Sequence, residues 1–112
     1  LIEQPEFFAE GWNFGPNDEH AQPVAELADI MALSWGEYAR WEIDKNSHPH
    51  ESNYLKLDCS KSKTQLKWEP IWGLEQALDE TVRWYKSWHQ DKDMYCFTMS
   101  QIKCYQQAFL TK

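Results

Sequence analysis

The chain holds 112 residues (13.4 kDa), 42% of them hydrophobic, enough for one domain with its own core and little more. Seven Trp, five Tyr and five Phe exclude a disordered chain, because that much aromatic surface would have to stay in water. Eighteen acids against 11 bases give a net charge of −7, which argues against nucleic acid and anionic membranes as partners, and no run approaches the ~20 apolar residues of a membrane span.

In chain order, Glu10-Gly11-Trp12-Asn13-Phe14 reads as a short strand stopped by Gly15-Pro16. Pro23 suits a first helical position. Val24, Leu27, Ala28, Met31 and Trp35 then recur at helical spacing, up to Gly36 as the terminating glycine. Residues Arg40 to Asp44 alternate and read as a strand, Lys45 to Glu51 as a loop, and Tyr54 to Leu57 as a second strand. Asp58 or Ser60 can cap a short helix running through Leu66, and Pro70 and Gly73 bracket a turn. Leu74, Ala77, Leu78, Thr81, Val82, Tyr85 and Trp88 form the longest helical stripe, which puts Tyr85 and Trp88 in the core and Trp84 at its rim. Thr98-x-x-Gln101 matches a capping box ahead of Ile102, Tyr105 and Phe109. The sum is an α+β domain over 1–112, with helices around a small sheet of short strands.

Charge is uneven: residues 1–58 carry 12 acids and three bases, while residues 59–112 carry six acids and eight bases. Those bases are dispersed, as on solvated helix faces. Cys59, Cys96 and Cys104 are odd in number and form no C-x-x-C pair, which fits a reduced, cytoplasmic protein better than a disulfide scaffold. Leu1 in place of Met fits either a removed start or a piece of a longer chain.

The densest polar cluster is His48-Pro49-His50-Glu51. Two imidazoles and a carboxylate there could contact an anion or a metal, or stand as an exposed polar loop. Acid pairs such as Asp18-Glu19 and Asp79-Glu80 point in different directions from one backbone and read as surface charge rather than as a catalytic pair. Gly11, Gly15, Gly36 and Gly73 lie too far apart for a Gly-x-Gly-x-x-Gly phosphate cradle, and no Tyr is followed four residues later by Lys.

Several segments resemble the C-terminal part of extended short-chain dehydrogenase/reductases that modify nucleotide sugars. Trp12-Asn13-Phe14-Gly15-Pro16 followed by Gln22 to Leu27 is similar to the strand, turn and helix that lead their substrate-binding lobe. His48 to Lys61 resembles the family stretch with a His-acid pair, a Tyr and an Asp-x-Ser-Lys. Leu66 to Leu78, with Thr81 to Tyr85, is similar to the family's Trp-rich ending. The resemblance covers about residues 9–90, leaves 91–112 as a C-terminal helical tail, and is strongest to the CDP-glucose 4,6-dehydratases. It implies a relation to NAD-dependent lyases that convert CDP-glucose to CDP-4-keto-6-deoxyglucose for bacterial surface polysaccharide such as O-antigen. It also implies that the NAD site and the Tyr-Lys pair belong to a Rossmann domain absent from these residues. No cofactor, metal or catalytic residue is therefore expected here, and no turnover by this chain alone.

What the resemblance carries over is substrate contact. His50 and Glu51 align with the pair beside the sugar nucleotide's phosphates, Tyr54 with a packing tyrosine, and Gln22 with a polar position that hydrogen-bonds the nucleotide near a helix start. CDP-sugar binding is expected to be weak. A homo-oligomer is expected to cover the face that a Rossmann domain would occupy.

Overall fold

The computed structural model describes residues 5–17, 23–46 and 57–111. Among these it forms α1 (Pro5–Phe8), α2 (Val24–Trp35), α3 (Ser60–Gln65), α4 (Leu74–His89) and α5 (Met94–Leu110). Pro23 is the N-cap of α2, and its carbonyl accepts from Glu26 N at 3.0 Å and Leu27 N at 3.2 Å. At the other end Gly36 N–H donates to Ala32 O, with φ 74° and ψ −154°, a region open essentially to glycine alone. The expectation for α2 is met at its Gly36 end, while at the other end Pro23 stands one residue outside the helix, as N-cap with ψ 148°, and Val24 is the first helical residue.

Helix α4 sits between α2 and α5. Val82, 3% exposed, is its most buried apolar side chain. Ser34 of α2 donates to Asp79 Oδ1 at 2.6 Å, and Lys86 Nζ donates to Trp35 O at 2.7 Å. That ammonium satisfies a carbonyl in the last turn of α2, where an unpaired C=O and the negative end of the helix dipole both favour a cation. On its other flank α4 meets α5 through Trp84 Nε1–H donating to Thr98 Oγ1 (2.9 Å). Gln101 Nε2 donates to both Glu80 O and Glu80 Oε2, each at 2.8 Å.

The α+β expectation is overturned: the described residues are helical and carry no strand. Alternation alone does not make a strand, because a ladder needs a neighbour to exchange N–H and C=O bonds with. Residues 40–44 run out along the surface with Ile43 76% exposed, and Trp41 turns its indole N–H back to Asp29 Oδ1 at 2.8 Å. Residues 10–17 are pinned by side chains of α3 instead of by a ladder, and Tyr54–Lys56 lies outside the described residues.

Two helical expectations also change. Helix α5 starts four residues before Thr98, because Asp93 caps it by accepting from Cys96 N at 3.1 Å. Thr98 and Gln101 instead spend their polar atoms on α4. The core expectation for Tyr85 and Trp88 is overturned, since they are 53% and 61% exposed, while Trp84, read by spacing as a rim residue and by resemblance as a packing position, is half-buried against α5. The helix rotates its Trp84–Val82–Ser87 side inward because α5 supplies a hydroxyl for the indole, a demand that apolar spacing does not register.

Candidate functional site

Helix α3 organises the N-terminal segment. The N-cap of α3 is Cys59 rather than Asp58 or Ser60, but Asp58, one residue earlier, still supports the start: its Oδ1 accepts from Ser60 N at 2.9 Å and from Ser60 Oγ at 2.6 Å. The next three residues each grip the 10–17 segment. Lys61 Nζ donates to Gly11 O (3.0 Å), pairs with Glu10 and lies 4.4 Å from the centre of the Trp12 ring. Ser62, fully buried, donates to Asn13 O at 2.6 Å, and Lys63 Nζ donates to Asn17 Oδ1 at 2.9 Å. Asn13 Nδ2 returns a bond to Asp58 O at 3.3 Å. The Trp12–Pro16 and Asp58–Lys61 motifs, about 45 residues apart in sequence, therefore form one clamp, and their polar groups serve structure rather than chemistry.

Below that clamp lies an apolar cavity of about 390 Å³, within the range of small-molecule sites. Phe14 and Trp68 pack edge to face across it at 5.1 Å, and Leu27 of α2 and Leu78 of α4 supply walls. Its polar groups are few. They include the Thr81 hydroxyl, which donates to Ala77 O, and the Tyr105 hydroxyl, which accepts from Ile71 N at 3.4 Å. Such a cavity can hold a flat or apolar group; charge recognition has to come from its rim.

Gln22, His50, Glu51 and Tyr54 all lie outside the described residues. The chain on either side of them is informative. Pro16, just before residues 18–22, and Leu57, directly after residues 47–56, both line the cavity. Pro16 and Leu57 thus share one cavity wall, while Pro23 and Asn46, on the far sides of the same two stretches, are not among its lining residues.

One feature escaped sequence reasoning. Trp72 Nε1 is buried and has no hydrogen-bond partner, although its ring packs on Tyr105 at 5.0 Å. Only the three-dimensional setting shows it, because an indole in a Trp-rich stretch carries no sign of what its N–H meets. No group of three His, Cys, Asp or Glu side chains suited to a metal exists among the described residues. Helix α2 opens on Pro23, which lacks an N–H, and α4 opens after Ile71-Trp72-Gly73, so neither start carries a glycine cradle.

No protein-family model matches the chain. It is 48% identical, over 90% of its length, to CDP-glucose 4,6-dehydratase of Salmonella typhimurium (strain LT2). It is 31% identical, over 68% of its length, to dTDP-glucose 4,6-dehydratase of Haemophilus influenzae (strain Rd). The chain spans 28% and 25% of these two proteins. On that match the chain is related to the CDP-glucose 4,6-dehydratase family, over the C-terminal part of such an enzyme.

Proposed function

We propose that this chain is a sugar-nucleotide-binding lobe of the CDP-glucose 4,6-dehydratase type, which contributes substrate contacts and no turnover of its own. The observation that carries the reading is the 48% identity over 90% of the chain to a protein whose name gives CDP-glucose as its substrate. The shared place of Pro16 and Leu57 in the wall of one cavity of about 390 Å³ supports it. In this reading His50 donates to the diphosphate, Glu51 orients a neighbouring donor, Gln22 hydrogen-bonds the nucleotide and Tyr54 packs beside them. A phosphate near an imidazole favours its protonated form, so binding strengthens as pH falls toward the histidine range.

Hydride transfer and elimination belong to a cofactor domain, and binding energy alone does not replace them. The chain is thus part of a lyase family's machinery without being a lyase by itself. Three thiols with no disulfide among them suit the reducing cytoplasm of a bacterium making deoxysugars, where this reading puts it. No helix among the described residues is long and apolar enough to cross a membrane.

Isothermal titration with CDP, CDP-glucose and dTDP tests the reading. Saturable heat with both CDP ligands, weaker with dTDP and lost in His50→Ala, is the expected result. No heat with any of them overturns it and leaves a non-enzymatic module built for assembly, a reading that the exposed Tyr85, Trp88 and Tyr95 favour.

A further inference from the structure

Trp72 stands where three hollows meet. Its ring borders the inner apolar cavity of about 390 Å³ and two outer grooves, of about 510 Å³ and 400 Å³, on the α4–α5 side. It is a partition with open space on more than one side, in a setting where side chains are ordinarily close-packed. Few contacts hold it in place. The ring packs edge to face on Tyr105 at 5.0 Å, and the neighbouring Ile71 N–H reaches the Tyr105 hydroxyl only at 3.4 Å, near the limit for such a bond. On the other side of Trp72, open space surrounds the position a Cβ would take on Gly73.

This position leaves the indole without a hydrogen bond. Nε1–H is buried and has no acceptor, which weights the conformation down by roughly 5- to 150-fold against one in which the donor is paired. The chain's own atoms cover it, so no group from outside reaches it while the ring stays where it is. An acceptor lies along the same grooves. Gln101 borders both of them with Trp72. Its Nε2 donates to Glu80 O and Glu80 Oε2, each at 2.8 Å, which fixes the amide and leaves Oε1 unused by any hydrogen bond among the described residues. Trp84, the other indole of the larger groove, already donates to Thr98 Oγ1 and does not compete for that oxygen.

We propose that Trp72 is a swinging partition: its indole turns from the inner cavity toward Gln101, where Nε1–H donates to Gln101 Oε1, and the cavity then opens into the outer grooves. The two positions are rotamers of one side chain. Packing on Tyr105 favours the inward one and the hydrogen bond favours the outward one, so each has a contribution that the other lacks. The consequence lies in what the cavity accepts. Turning outward adds the ring's own space to an apolar hollow whose polar groups are few, among them the Thr81 and Tyr105 hydroxyls. A neutral, planar aromatic molecule therefore binds the outward state better and draws the population toward it.

Fluorine NMR of the chain labelled with 5-fluorotryptophan tests this, with free indole as the probe. Among the signals of the seven tryptophans, the one lost in Trp72→Phe is that of Trp72. In the parent it should be split or exchange-broadened, and indole should shift it saturably toward one position. Gln101→Lys keeps a donor for Glu80 and removes the acceptor. It should sharpen the Trp72 signal to one line and weaken indole binding at least about fivefold, with far-UV circular dichroism unchanged. The parent measurement stands by itself if that variant folds poorly. A single sharp Trp72 signal that indole does not move, or indole bound equally well by the parent and a folded Gln101→Lys chain, would each overturn the proposal. None of these readouts involves a nucleotide, so failure here and failure of CDP binding are separate results.

Discussion

Ser62 holds more structure than its size suggests. Ser62 is fully buried and its hydroxyl joins two segments 49 residues apart, and removing it takes from Asn13 O its donor at this part-buried contact. Ser62→Ala should cost about 1–3 kcal/mol, read as a lower denaturation midpoint at unchanged slope. A second residue-scale test lies at the start of α5. Hydrogen bonds from Cys96, first from its backbone N–H and then from its thiol, hold the Asp93 carboxyl below its ordinary 3.8. A carboxylate lowered on folding stabilises the folded state above that ordinary value and loses the contribution as pH falls through the lowered one. Acid titration of the helical signal should therefore show α5 fraying below the usual carboxylate range, and Asp93→Asn, which still caps, should flatten that slope. The same contact works on the thiol in reverse. Asp93's hydrogen bond, and then its charge, push Cys96 above 9.0, so Cys96 should alkylate slowly at neutral pH and faster in Asp93→Asn.

At the scale of elements, the terminators separate what can be read in the sequence from what cannot. Gly36 announces the end of α2 because its backbone conformation needs glycine. Open space surrounds the position a Cβ would take, so Gly36→Ala should cost about 1–3 kcal/mol through torsion alone, measured by thermal unfolding. Helix α4 ends with the same hand but no glycine. Asp91 takes φ 56°, its N–H donates to Trp88 O and Lys92 N–H to Ser87 O, a paired-bond termination built on a non-glycine residue. Asp91→Gly should accordingly be neutral or raise stability by up to ~1 kcal/mol. Helices α2 and α4 were legible because 3.6-residue spacing is a property of one segment. Strands were not, because they depend on a neighbour elsewhere in the chain, and residues 40–44 have none among the described residues. The candidate site residues rest on resemblance alone and lie outside the described residues: spacing left the His48–Glu51 stretch open among anion contact, metal site and polar loop.

For the molecule as a whole, the thin interior is the governing fact. Only Cys59 and Val82 are buried apolar residues among those described, and the radius of gyration is 16.9 Å, against about 13 Å for a compact chain of this length. Stability then rests heavily on a few inter-element ties. These ties differ in reach. The α4–α5 contacts close short loops, 14 residues between Trp84 and Thr98, whereas Ser62–Asn13 and Lys61–Gly11 close loops of about 50. Chain entropy therefore orders the events of folding: the helical hairpin assembles early, and the N-terminal segment docks onto α3 last. Ser62→Ala should accelerate unfolding while leaving the folding rate nearly unchanged, whereas Thr98→Val, which breaks the hairpin's cross-link, should slow folding itself. The docked segment is also the part that should open first under native conditions, so its amides are expected to exchange with solvent hydrogen well before those of α4.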